Sequence, residues 1–430
     1  MSSSRRATAV LDIEAAVSAQ TERQIAHWVQ AAARLDLDDL ASKEAWGHLE
    51  RYLGLAVRGH LQGVLDRLRS DGQALTGLHA AARSPDGQAE VRRRLITFQH
   101  QYLRAETTLD FFADAVNVRT NVQVAAMLRA CDTLAQRSMA VLLDAIGRPT
   151  PVALTYVDKG RGASILKAGL RLWDGGQTCP VAVIKVTRHN LLRPTALIHE
   201  AGHQVAHIAG WNPELGDALA AALQQAGAST AVAQVWAGWA SEIAADCFAF
   251  VHTGFASVAA LHDVLAAEPA MAFRFIAGDP HPLSHLRVLL GVQLCRHCFG
   301  DGPWDTLALA WQALHPLSLA PAEVAEIVQE SLPHLDTVAA VCLDQPLPCF
   351  GHRPLRALVQ PERVSPHALR EMSTRLGPAL FTSAHWLWSE PLRTLGLTGL
   401  QLAESPREFQ PILERQQQSM LRLGGALQTS

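Results

Sequence analysis

Glu242 and Asp246 lie inside WAGWASEIAADCFAF, a stretch that is otherwise apolar or small. A helix built from this segment must bury most of its surface, and two carboxylates four residues apart would share one of its faces. Burying them is costly unless a counter-charge, a hydrogen-bond network or a metal ion receives them. The fold must therefore bring cationic or metal-binding groups to this helix.

HEAGH, at 199–203, supplies such groups. At about 100° per residue, His199 and His203 lie about 40° apart on one helical face and one turn apart along it. Two imidazoles so placed can reach a single ion, and zinc suits neutral imidazole and an open tetrahedral site. Glu200 is at the edge of the same face, where it can take a proton from an attacking water and pass it to a leaving amine. A plain polar stripe would also fit HExxH. The position of the motif, on a helix directly after a strand run, favours the metal reading.

A third ligand is expected from Glu242, 39 residues beyond His203. His207 continues the histidine stripe but lies too far along an unbroken helix, and no glycine turn precedes it, so it is assigned to packing or support. Asp246 can accept the outer N–H of a ligand histidine and fix its tautomer. Downstream, in GDPHPLSHLRVLL, His281, His285 or both could face the site and donate to a developing oxyanion. Arg287 could buttress the carboxylates, although a helix start capped by Asp279 with Arg287 on the surface is an equal reading.

These residues resemble the HtpX and CAAX-prenyl-protease type of gluzincin metallopeptidases, which show HExxH, then ExxADxFA, then HPxxxxR. Here the elements stand as His199 to His203, Glu242 to Ala249, and His281-Pro282 with Arg287. The likeness spans roughly residues 180–290. It implies a zincin-like domain with one catalytic Zn2+ on His199, His203 and Glu242, Glu200 as base and Asp246 as support. It further implies transition-state or structural roles for His281 and Arg287. Members of that family commonly carry membrane helices around the motifs. No apolar stretch here reaches about 18 residues, so no membrane span is expected.

The remaining texture sets an α+β expectation, mainly α with a small sheet. Residues up to about 148 follow helical spacing, as in Leu53, Val57, Leu61, Leu65 and Leu68. LDLDDL within them is read as a helix-capping turn. PVALTYVD, SILKAGLRLW and PVAVIKVT read as three strands bounded by glycine and proline. PVAVIKVT is expected at an exposed sheet edge, where an extended peptide substrate would pair. Pro194 marks a helix start, and Gly210 with Pro213 its end. Eleven of 22 prolines fall between 303 and 391, predicting short, broken helices, and a last helix is expected near 411–423. The chain therefore divides into a helical part at 1–150, the zincin-like part at 151–300, and a proline-rich helical part at 301–430.

Charge and cysteine content restrict the rest. Lys plus Arg (37) nearly balances Asp plus Glu (40), so neither a nucleic-acid stripe nor an acidic tail is present. Seven scattered cysteines suit reduced thiols in a cytoplasmic protein. Asp12 and Glu14 interrupt the apolar run after Arg5 and Arg6, which makes a poor signal peptide. Cys295 and Cys298 form a CxxC on an apolar helix, where core packing is the simpler role, with Cys342 and Cys349 downstream. Trp386 and Trp388 read as core or a partner surface. The expected activity is zinc-dependent peptide hydrolysis, more endopeptidase than aminopeptidase. The alternatives are a silent zinc-binding regulatory module and an amidase acting on a non-peptide amide.

Overall fold

A computed structural model describes residues 13–159, 164–166, 181–191 and 193–425. Its contacts gather the described residues into two compact units, one of residues 13–117, the other of the described residues from 118 onward. The divisions expected at 150 and 300 are therefore not where the chain separates. The last helix before the sheet and the whole proline-rich region belong with the zincin-like segment.

In the smaller unit, α1 (Ile13–Arg34), α2 (Leu37–Leu40), α3 (Lys43–Leu53), α4 (Val57–Ala81) and α5 (Pro85–Asn117) pack as helices. Leu61, Val64, Leu65 and Leu68 form the buried stripe of α4. LDLDDL is a capping turn, in which the Asp36 carboxylate accepts the Asp38 amide at 3.0 Å.

The larger unit opens with α6 (Val122–Ala145), β1 (Ala153–Val157), β2 (Ser164–Leu166) and β3 (Ala182–Val186). Buried Asp132 fastens α6 to the sheet: it accepts the amide of Thr155 at 2.7 Å and its hydroxyl at 2.8 Å, and pairs with Arg119 at 2.8 Å. That lock explains why α6 stays with the sheet. Strand order is β1-β3-β2, with β3 parallel to β1 and antiparallel to β2. PVAVIKVT is thus central and paired on both sides. The expectation of an exposed edge there fails because SIL, at 164–166, returns along its outer side. The rest of SILKAGLRLW lies outside the described residues.

The sheet leads into α7 (Thr195–Ala209), α8 (Trp211–Gln225), α9 (Thr230–Gly238), α10 (Ala240–Thr253), α11 (Phe255–Leu265), α12 (Pro269–Ala272) and α13 (Ser284–Phe299). Gly210, at φ 75°, ends α7 as a left-handed cap. Pro213 does not end that helix; it enters the first turn of α8, where a missing N–H costs nothing. Leu197, Ile198, Ala201 and Val205 bury the inner face of α7. Gly202 lets α7 lie against α10, since a Cβ there would come within 2.9 Å of the Ala245 Cα. Nine further helices follow among the described residues, from Pro303–Leu314 to Phe409–Leu423, and the last packs on α6. The fold is mainly α with a small mixed sheet, and no described helix is long and apolar enough to cross a membrane.

His252, on α10, is 4% exposed, and its Nε2 has no hydrogen-bond partner among the described residues. Burial lowers its pKa to about 3. The ring is neutral in the fold but takes a proton near pH 6.5 once unfolded, so its contribution to stability is full above that value and is lost as pH falls. The expected cost is about 2 kcal/mol at pH 5 relative to pH 7.5. Denaturant unfolding at both pH values should show His252→Gln losing less than the wild type by roughly that amount. Parallel losses in the two proteins would contradict the assignment.

Candidate metal centre

α7 presents His199 and His203 with ring centroids 4.8 Å apart and planes at 85°. α10 crosses it and directs Glu242 between them. Oε2 of Glu242 is 3.4 Å from Nε2 of His199, and Oε1 is 3.2 Å from Nε2 of His203. One ligand atom from each residue lies within 4.8 Å of the other two, so the three could hold a metal ion. Ligand bonds of about 2.0–2.1 Å at a tetrahedral angle separate neighbouring donors by about 3.3 Å. The two spacings run to different oxygens of Glu242, so the carboxylate faces both Nε2 atoms, one oxygen to each ring.

The opposite ring nitrogens are already occupied. Asp246 lies 2.8 Å from Nδ1 of His199, and the Ser241 hydroxyl lies 3.4 Å from Nδ1 of His203, itself held by Asn212 at 3.2 Å. Both rings therefore turn Nε2 inward, as a ligand site requires. Arg287, on α13, donates to Asp246 through Nε at 2.5 Å and Nη2 at 2.8 Å, and to Glu242 through Nη2 at 3.0 Å. It is 9% exposed, so it is the buried counter-charge that the apolar surroundings of α10 demand.

The electrostatics follow from that crowding. Burial opposes ionisation of Glu242 and Asp246, yet the hydrogen bonds of the histidines and the charge of Arg287 hold both below the usual carboxylate range. Burial also disfavours a charged His199, but Asp246 and Glu242 raise its pKa to about 10. Glu200 behaves differently. Burial raises its pKa, His199 and His203 oppose, and Glu242 adds to the rise. It is 7% exposed and opens onto the same cavity as the three candidate ligands.

Of the two downstream histidines, His281 faces this cavity, with Nε2 3.6 Å from Oε1 of Glu242 and Nδ1 2.6 Å from Asp279. His285 does not. It is buried between Phe273 and Trp311, at 4.9 and 6.4 Å between centroids. His207 is exposed and outside the cavity lining. Cys342 lies against Cys247, and the Cys349 amide donates to Glu214 at 2.7 Å. The downstream cysteines thus have separate surroundings. Trp386 is partly buried, and Trp388 is 48% exposed beneath the Arg137 guanidinium.

The cavity is about 470 Å³. Besides the ionisable cluster it is lined by Asn190, Arg193 and Thr195, which no motif singles out, and by an apolar wall that includes Val258, Leu261 and Leu290. Ser164 and Ile165 bring β2, and not β3, to its rim. No family model matches the chain, and no curated protein or solved structure matches it.

Proposed function

We propose that the chain is a zinc-dependent peptidase, with His199, His203 and Glu242 as ligands and Glu200 as general base. The observation that carries this reading is the meeting of two Nε2 atoms and one carboxylate around a single point, with a buried carboxyl of raised pKa opening onto the same cavity. Two imidazoles and one carboxylate are a donor set that suits zinc and leaves a coordination position open. The order HExxH, ExxAD, HPxxxxR, similar to that of the HtpX and CAAX-prenyl-protease type, supports the same conclusion.

Zinc bound there supplies a Lewis acid that polarises the scissile carbonyl and makes water acidic near neutral pH. The chain does the rest. Glu200 takes the proton of the attacking water and delivers it to the leaving nitrogen; a buried carboxyl of raised pKa is a stronger base than an exposed one. Asp246 holds the His199 tautomer, and Arg287 holds both acidic side chains in place. His281, steadied by Asp279, turns Nε2 toward the cavity, where it donates to the carbonyl oxygen as negative charge develops.

Elemental analysis of purified protein should find one zinc per chain, and His203→Ala should lower affinity at least about 100-fold. Cleavage of a proteome-derived peptide library, mapped by mass spectrometry, should stop on chelation and return with zinc. Failure of the wild type to retain or rebind zinc would end the proposal. Metal retention with no cleaved peptide would leave a binding module, and cleavage of non-peptide amides alone would leave an amidase.

A further inference from the structure

The N-terminus of α7 opens into the same cavity as the metal ligands. Thr195 and Ala196 line it, and the residue before them is Pro194, which makes no side-chain cap. The Thr195 amide is used by the Arg193 carbonyl at 2.8 Å. The amides of the next residues face the end of a 15-residue helix and carry its positive dipole. Two polar side chains converge on this end. Asn190 and Thr195 are each 5% exposed and line the cavity, and neither the carboxamide nor the hydroxyl has a hydrogen-bond partner among the described residues. Their polar atoms open onto the cavity, where a ligand can reach them.

Arg193 adds a cation. Its Nη2 pairs with Asp263 at 2.5 Å, leaving further donors of the guanidinium fork unused by that bond. Asp263 also has His262 at 3.1 Å, so it keeps a partner if Arg193 turns inward. A helix N-terminus, a guanidinium, a hydroxyl and a carboxamide make a donor-rich pocket suited to a carboxylate.

We propose that this end of the cavity binds a carboxylate of the substrate, either the free chain end or an acidic side chain beside the scissile bond. The inference rests on the peptidase reading for its use, but the anion site itself does not. Thr195 precedes His199 by one helical turn, a rise of about 6 Å, and one extended peptide residue spans about 3.5 Å. A carboxylate held there belongs to a residue one or two positions from the bond at the metal ligands. The apolar wall at Val258 and Leu261 then faces an aliphatic side chain of the same segment.

Binding can be read without turnover. In Glu200→Gln protein, calorimetric titration should show N-acetyl-leucine binding at least about 10-fold tighter than N-acetyl-leucinamide. The preference should survive chelation, vanish in Arg193→Gln and weaken in Asn190→Ala, with circular dichroism confirming that both variants fold. Equal affinity for acid and amide would overturn the proposal. So would a preference untouched by both substitutions, or one abolished by chelation alone, which would place the carboxylate on the metal.

Peptide substrates separate the two carboxylate sources. Trimming of free-acid but not amidated peptides assigns the chain end. Cleavage of amidated peptides at internal Asp or Glu assigns the side chain. Absence of all cleavage, with the binding preference intact, would retire the peptidase reading and leave the anion site standing.

Discussion

Arg287→Met should destabilise the protein by about 3–5 kcal/mol, the penalty for leaving buried charge without its partner. Arg287 makes three hydrogen bonds of 2.5 to 3.0 Å to Asp246 and Glu242. All three side chains are at most 13% exposed, so the charges left behind are poorly solvated. Methionine fills the space of the stem without the charge. Denaturant unfolding of metal-loaded protein measures the loss, and adding Asp246→Asn should recover part of it, because one of the stranded charges then disappears. A loss below about 1 kcal/mol would mean that solvent or metal already neutralises the cluster, and that Arg287 is not its counter-charge.

Glu200→Gln should retain the metal and the fold yet lower the hydrolysis rate by about 100- to 10,000-fold, the range for a general acid-base group. Glutamine keeps the shape of the side chain and removes the proton acceptor. It should not loosen the ligands, because Glu200 makes no hydrogen bond to them among the described residues. The pH profile supplies a second check. Burial raises the Glu200 pKa in the protein without its metal, while a bound cation pulls it down; activity requires the ionised form and therefore falls toward acid pH in the wild type. The residual activity of the variant should lack that acid limb. An undiminished rate in metal-bearing Glu200→Gln protein would remove Glu200 from the mechanism.

The pairings within each helix were legible in the sequence because they are local. A spacing of four on a helix fixes which side chains share a face, and that rule placed His199 with His203 and Glu242 with Asp246. The apolar surroundings of α10 further required a partner for its carboxylates. Which cation would meet them depended on how α13 packs, and no local rule gives that. The choice between His281 and His285 was closed for the same reason. The helix starts at Ser284, so His281 stays in the preceding loop beside Glu242 while His285 turns toward Phe273 and Trp311. The position of PVAVIKVT was misread because alternation marks a strand but not its neighbours. Asn190 and Thr195 carried no signal, since their significance lies in the hydrogen bonds they do not make. The boundary at 150 failed because α6 packs on α7, on β1 and on the last helix, with Asp132 fastening it to Thr155.

The close approach at Gly202 has a consequence for ion choice. Bare backbone meets backbone there, so the separation between the two ligand-bearing helices cannot stretch or shrink by rotating a side chain. Should an ion bind between them, calcium, which wants six to eight oxygen donors at longer range, would find two imidazoles and one carboxylate on helices set close together.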